Sequence, residues 1–330
     1  MSEGENHESR VARLRLRSLL AGQNLLDGDF AVSEFGRAVG TVQKGVASVL
    51  LTGNHENGLG AALLWATKNE ATSLQIFSDR CAEVLARRAT YFSFPIQVFG
   101  AETDGVAKPV VPAEFERPTF GEADESFAEF IAAGGADVVR EHGVVSGEVN
   151  GLEVCRVVRD ASGESRLEIG VGAHDRETFQ MLHGRTATIE SLRKVVVEVA
   201  ARRAVGAQVH PLNQLARERM LRHQICLAPQ LVGAKILKTA QPPTRRSNLK
   251  DAMPCCADGV LVEGTEVVAI FGVGINPELV VFGADAREFL NPAADLILVV
   301  PSRDASGVLQ RLAKLLRRSA RIVGVDLATA

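Results

Sequence analysis

Between residues 46 and 99 short apolar runs alternate with helix-length amphipathic segments, and no other feature constrains the fold of this chain as tightly. Val46–Leu51 (VASVLL), Ser73–Ser78 (SLQIFS) and residues 95–99 (PIQVF) read as strands, while residues 59–67 and 79–90 read as helices. Connections this short leave a β-α-β-α-β succession, in which right-handed crossovers make the strands parallel. Parallel strands are buried on both faces and need cores of Val, Leu, Ile and Ala. The composition agrees, with 14 Phe but one Trp and one Tyr. The expected fold class is α/β: an N-terminal parallel βαβαβ domain followed by a C-terminal mixed α/β domain.

Residues 1–105 are assigned to the first, Rossmann-like domain, headed by a basic amphipathic helix at residues 10–20. Residues 106–126 carry Pro109, Pro112 and Pro118 among scattered acids and read as a linker. Residues 127–330 form the second domain, with a sub-boundary near 205. Its expected elements begin with a helix at 127–133 and an antiparallel pair at 144–159 and 165–171, joined by turn residues at 160–163. Helices at 175–183, 188–203 and 214–225 come next. Strands at 259–262 and 266–273, a helix at 284–290, a strand at 296–300, a helix at 305–318 and a strand at Arg321–Val325 complete it. No repeat at a solenoid period is visible.

With 46% hydrophobic and 23% charged residues, the chain of 330 residues is long enough for two or three cores, and whole-chain disorder is excluded. No apolar stretch is long enough to span a bilayer, and no apolar segment follows the polar start MSEGENHESR. A cytoplasmic location is the expectation. The five cysteines contain no CxxC pair and include the adjacent Cys255 and Cys256, a poor geometry for a disulfide.

Charge is segregated along the chain. Residues 102–148 hold eleven acids and three bases; residues 185–250 hold thirteen bases and three acids. Such blocks create local fields that a net charge of −3 conceals. They also arise from solvated helix faces or from the two segments contacting each other. The basic block supplies candidate anion-binding residues: Arg217, Arg219 and Arg222 on a helix, then Lys235 and Lys238, then Arg245, Arg246 and Lys250 in a Pro-flanked loop. Arginine grips phosphate or carboxylate in a bidentate manner, so a nucleic acid or another phosphorylated ligand is the expected partner.

Three further sites compete with plainer readings. Gly58 and Gly60 open a helix after a strand, with Asp79 at the end of the next strand, an arrangement that places amides for a phosphate and an acid for a ribose. Leu63 departs from that fingerprint, no Walker lysine follows, and a tight turn with a helix cap explains the glycines equally. Glu168, His174 and Asp175 lie close to Glu148 and Glu153 across an expected strand pair and offer metal ligands if the register converges; Asp175 also serves as a helix cap. His210 precedes a helix and is a general base only if a substrate proton lies within reach; otherwise it is a structural hydrogen-bonding group.

From residue 214 onward the order of elements resembles that of the restriction-endonuclease superfamily, the PD-(D/E)XK fold. Glu218 lies on the leading helix, Asp258 on the strand segment ADGVLV, and EVVAIFGV follows after one turn. The closing ILVVPSRDASGVLQRLAKLL matches the family's later strand and helix. The resemblance implies a metal held by Glu218, Asp258 and a nearby acid such as Glu263. It also implies Glu-X-Lys at the end of the second strand, where this chain has Ile270, Phe271, Gly272 and Val273. Phosphodiester cleavage needs that carboxylate to hold a cation. The reading adopted is a non-catalytic or catalytically decayed nuclease-like scaffold that binds nucleic acid or another phosphorylated partner through the basic region. The alternatives are a nucleotide-binding enzyme or sensor using Gly58, Gly60 and Asp79, or an interaction protein without a small ligand.

Overall fold

A computed structural model describes residues 3–23, 31–52, 56–102, 105–183, 187–204, 206–208, 210–244 and 253–326. The protein is α/β, built on three sheets. Its contacts define two compact units, each discontinuous in sequence. One comprises the chain to Phe115 with Ile275–Asp285 and Ser306–Ala320; the other comprises Glu116–Gly274, Ala286–Ala305 and the chain from Arg321.

The first unit begins with α1 (Glu3–Gly22), followed by β1 (Ser33–Phe35), β2 (Ala38–Gln43), β3 (Val46–Leu51), α2 (Leu59–Lys68), β4 (Ser73–Ser78), α3 (Ala82–Ala89), β5 (Ile96–Ala101) and β6 (Ala107–Pro109). The strands stand in sequence order in one sheet. β3, β4 and β5 are parallel, as the alternating pattern requires, and β1, β2 and β6 extend them antiparallel. The strands at 33–43 escape the sequence pattern because β1 is only Ser-Glu-Phe and Gly40 and Thr41 interrupt the short apolar run of β2. α1 presents Leu16, Leu19 and Leu20, all buried, to Val39, Leu50, Phe77 and Phe99; each such leucine contributes about 1.5–3 kcal/mol.

In the second unit, α4 (Glu122–Glu125), α5 (Ala128–Ala133), β7 (Asp137–Glu141), β8 (Val144–Val149), β9 (Leu152–Arg159), β10 (Ser165–Ile169), α6 (Gly172–His183) and α7 (Ile189–Arg202) build an antiparallel four-stranded sheet with its helices. The stretch expected as one long strand at 144–159 is a hairpin. Asn150 and Gly151 both take positive φ, 47° and 75°, the left-handed pair that a two-residue hairpin turn demands. Within the expected linker, β6 and α4 flank an irregular stretch at residues 110–121.

The chain continues through α8 (Arg217–Leu227), β11 (Ala234–Ala240), β12 (Cys255–Leu261), β13 (Glu266–Phe271), α9 (Glu278–Leu290), β14 (Asp295–Pro301), α10 (Gly307–Ala313) and β15 (Arg321–Val325). β11, β12 and β13 form an antiparallel meander, and β14 and β15 follow in parallel. α8 packs its Leu221 and Ile225 on this sheet with Ala257, Phe271 and Val299.

The β11–β15 sheet repeats the route of β1–β5. A leading helix comes first, then an antiparallel meander of three strands, a crossover helix to a parallel strand, and a second crossover helix to another. Correspondence reaches single residues. Three positions past the end of α3 stands Phe92, and three past the end of α10 stands Leu316; these two equivalent residues form an antiparallel bridge within the first unit. Ser93 N donates to the Leu315 carbonyl at 2.7 Å, and Arg317 N donates to the Tyr91 carbonyl at 2.9 Å, a reciprocal pair. A repeat of this kind has no solenoid period, since about two hundred residues separate its copies.

Candidate functional site

The basic block on α8 does not face outward. Arg219 and Arg222 are buried one turn apart, and each reaches both Glu141 at the end of β7 and Glu148 on β8. Arg219 Nη2 lies 2.7 Å from Glu141 Oε2 and Arg222 Nη2 lies 3.1 Å from Glu148 Oε2; the two remaining contacts, Arg219–Glu148 and Arg222–Glu141, close the ring. Arg222 Nη1 also donates to the Cys256 carbonyl at 3.3 Å. Burial alone would lower both guanidinium pKa values, yet the two glutamates outweigh it and hold both above the ordinary arginine value. The contact between acidic and basic segments is therefore real for these four residues. Both arginines are unavailable to an external anion.

The other bases of residues 185–250 divide further. Arg203, 2% exposed, donates to the carbonyls of Asn150, Leu212 and Leu215, and burial depresses its pKa to about 10. Arg202 binds Glu198 at 2.6 Å and Lys194 binds Glu190 at 3.3 Å. Arg217 is half-buried, whereas Lys235 and Lys238 are exposed on β11, the outermost strand of its sheet. Arg185, Arg245, Arg246 and Lys250 lie outside the described residues.

At the first candidate phosphate site the chain supplies its own anion. Ala61 N at the start of α2 donates to Glu278 Oε1 at 3.2 Å, and the amides of Gly58 and Gly60 also turn to this carboxylate. Gly58 has φ 129°, and a Cβ on Gly60 would stand 2.7 Å from the Pro277 carbonyl oxygen. Backbone conformation and close packing thus account for both glycines. Asp79 is held by Arg15 at 2.9 Å. The amides that a phosphate would require are taken.

Glu278 Oε2 is buried without a hydrogen-bond partner among the described residues, and burial pushes the carboxyl above the ordinary glutamate value. A raised carboxyl pKa means that the folded state holds its proton more tightly than the unfolded state. The resulting stability is present below the unfolded value and is lost as pH rises through the folded one. Glu278→Gln is accordingly expected to melt higher than the wild type at pH 8. That difference should shrink as pH falls toward 4.5, the ordinary glutamate value. A pH-independent difference in melting temperature would contradict this.

Among the described residues no group of three His, Cys, Asp or Glu side chains converges to hold a metal. Glu218 is buried on α8, Asp258 is exposed on β12 opposite Lys238 and Val268, and Glu263 is exposed in the β12–β13 turn. Glu153 and Glu168 are bound by Arg176, with Arg156 and Arg166 adding to each. Asp175 Oδ2 accepts from Val171 N at 2.7 Å, fixing the start of α6. His210 Nδ1 accepts from Leu212 N at 3.2 Å and its Nε2 faces Arg202, which makes it a capping residue. The five cysteines are free, and burial raises the Cys155 and Cys255 thiols to about 12, so neither is poised as a nucleophile.

One open cleft of about 840 Å³ lies in the second unit, with Phe179, Val195 and Val199 among its apolar lining and Lys194, Glu198 and Arg202 among its charged groups. The charged groups named are already paired with one another or with neighbours. Among the described residues, no helix is long and apolar enough to cross a membrane. No family model matches the sequence, and no curated protein and no solved structure matches it.

Proposed function

We propose that this is a non-catalytic binding protein on a restriction-endonuclease-like scaffold, and that its partner is a polyanion, a nucleic acid in the first instance. The route α8-β12-β13-α9-β14 supports the scaffold, since it follows the helix, two strands joined by one turn, and later strand that the resemblance implies. The observation that carries the loss of chemistry is the ladder register. Opposite Asp258 stands Val268, and β13 ends in buried Ile270 and Phe271 where a metal-binding carboxylate and a lysine would be needed. A route kept without those ligands is the ground for reading the scaffold as one that binds and does not cleave.

The test uses the full chain and a labelled DNA duplex in a titration at rising salt. Binding is expected at low salt, with log K falling against log salt by about 0.9 for each phosphate neutralised. The DNA is expected to remain intact with Mg²⁺ or Mn²⁺ present. Absence of binding at the lowest salt would remove the partner, and chelator-sensitive cleavage would remove the non-catalytic reading.

A further inference from the structure

We infer that the exposed basic strip formed by Arg311 and Lys314, continued by Arg317 and Arg318, is the surface that meets the nucleic-acid backbone. This rests on the polyanion-binding reading above and gives it a location. Residues 305–325 contain five bases and no acid, in a chain whose net charge is −3. α10 buries Leu309, Leu312 and Ala313 and turns Arg311 outward, with Lys314 one step beyond its end. Arg317 and Arg318 are also exposed. Among the described residues no acid pairs with Arg311 or Lys314. Arg317 donates its Nε to the Thr90 carbonyl at 3.0 Å, which anchors its base.

The repeated topology provides an internal comparison. Arg87 stands five residues before Phe92, and Arg311 stands five before Leu316, so the two arginines occupy equivalent places. Arg87 is buried and gripped by Asp285 through Nε at 3.0 Å and Nη2 at 3.1 Å. Arg311 has neither burial nor carboxylate. The same residue at the same place thus serves packing in one copy, while in the other its charge is left to the solvent. Residues three apart on a helix lie side by side, so Arg311 and Lys314 offer two adjacent cations to a chain of phosphates. A membrane surface fits less well, because interfacial helices bury an apolar face in lipid and that face of α10 is already inside the protein.

The experiment compares full-length wild type, Arg311→Glu/Lys314→Glu, Arg311→Gln/Lys314→Gln and the comparator Lys235→Glu/Lys238→Glu. Fluorescence anisotropy with a labelled DNA duplex is recorded over a salt series, and melting curves are taken alongside. The α10 pairs are expected to bind more weakly and to flatten the slope of log K against log salt by about two, one for each lost phosphate contact. The β11 pair, which removes the other exposed cations named as candidates, should flatten the slope less than either α10 pair. Equal slopes for wild type and both α10 variants would overturn the strip while leaving DNA binding intact. Loss confined to the β11 pair would do the same. Tighter wild-type binding to phosphatidylserine vesicles or polyglutamate than to the duplex would overturn the choice of partner. A wild type that binds no duplex at all would instead sink the polyanion reading itself.

Discussion

Replacing Glu148 with alanine is expected to destabilise the protein by about 3–5 kcal/mol, the cost of stripping one partner from a buried ion pair. Arg219 and Arg222 each spend one arm on Glu148, and both are buried (5% and 1% exposed). Without that carboxylate two guanidinium groups share Glu141 alone, and one positive charge is left uncompensated away from water. The loss should appear as a lower urea midpoint with an unchanged slope. A shift below about 1 kcal/mol, the range of exposed pairs, would show that the ring is hydrated. The exposed pair Arg13–Glu34 provides that comparison, since Glu34→Ala should leave the urea midpoint close to that of the wild type.

Asp285→Ala is the second large effect, again about 3–5 kcal/mol. The side chain is completely buried and accepts from Arg87 twice, from Arg88 Nε at 2.9 Å and from the Tyr91 hydroxyl at 3.1 Å. Arg88 keeps a second partner in Glu56 at 3.1 Å, so the unpaired charge falls mainly on Arg87. Asp285→Asn retains one acceptor without its charge and should lie between alanine and wild type. Equal losses for the two variants would assign the effect to packing rather than to charge. The measurement is the same urea transition.

The parts of the fold legible in the sequence are those whose order is set by neighbours in the chain. β3 and β4 fall at the expected residues because their apolar runs are buried on both faces, and β15 does so because turn residues bound it. β11 (AKILKTA) was not expected at all. Its exposed Lys235, Ile236 and Lys238 and the register shift near Ala234 destroy the alternation that marks a strand. α9 begins six residues before the expected helix, since Glu278 and the apolar residues after it carry no helical spacing until the fold buries Leu279, Val280, Val281 and Phe282 together.

Site residues were less legible, for a reason specific to charge. Arg219 and Arg222 read as part of an electropositive face because a sequence shows the sign of a side chain but not the carboxylate that will meet it. Their partners lie more than seventy residues upstream, in the acidic block. Glu278, which fills the amide cradle of α2, is 217 residues from Ala61. Glycine spacing leads to the expectation of an external phosphate there, and a glutamate this far away in the chain leaves no local signal of the contact it makes.

The reciprocal Phe92–Leu316 bridge places two equivalent segments of one polypeptide against each other, as identical subunits do across a dyad. Separate subunits would part on dilution, whereas a covalent thread makes their meeting intramolecular and insensitive to how much protein is present. Because closure entropy rises only logarithmically with the length of that thread, the intervening sheet and helices of residues 116–216 are accommodated at little cost to the pairing. The same tether frees the two copies to diverge, one keeping an arginine for its own interior while the other leaves it exposed to solvent.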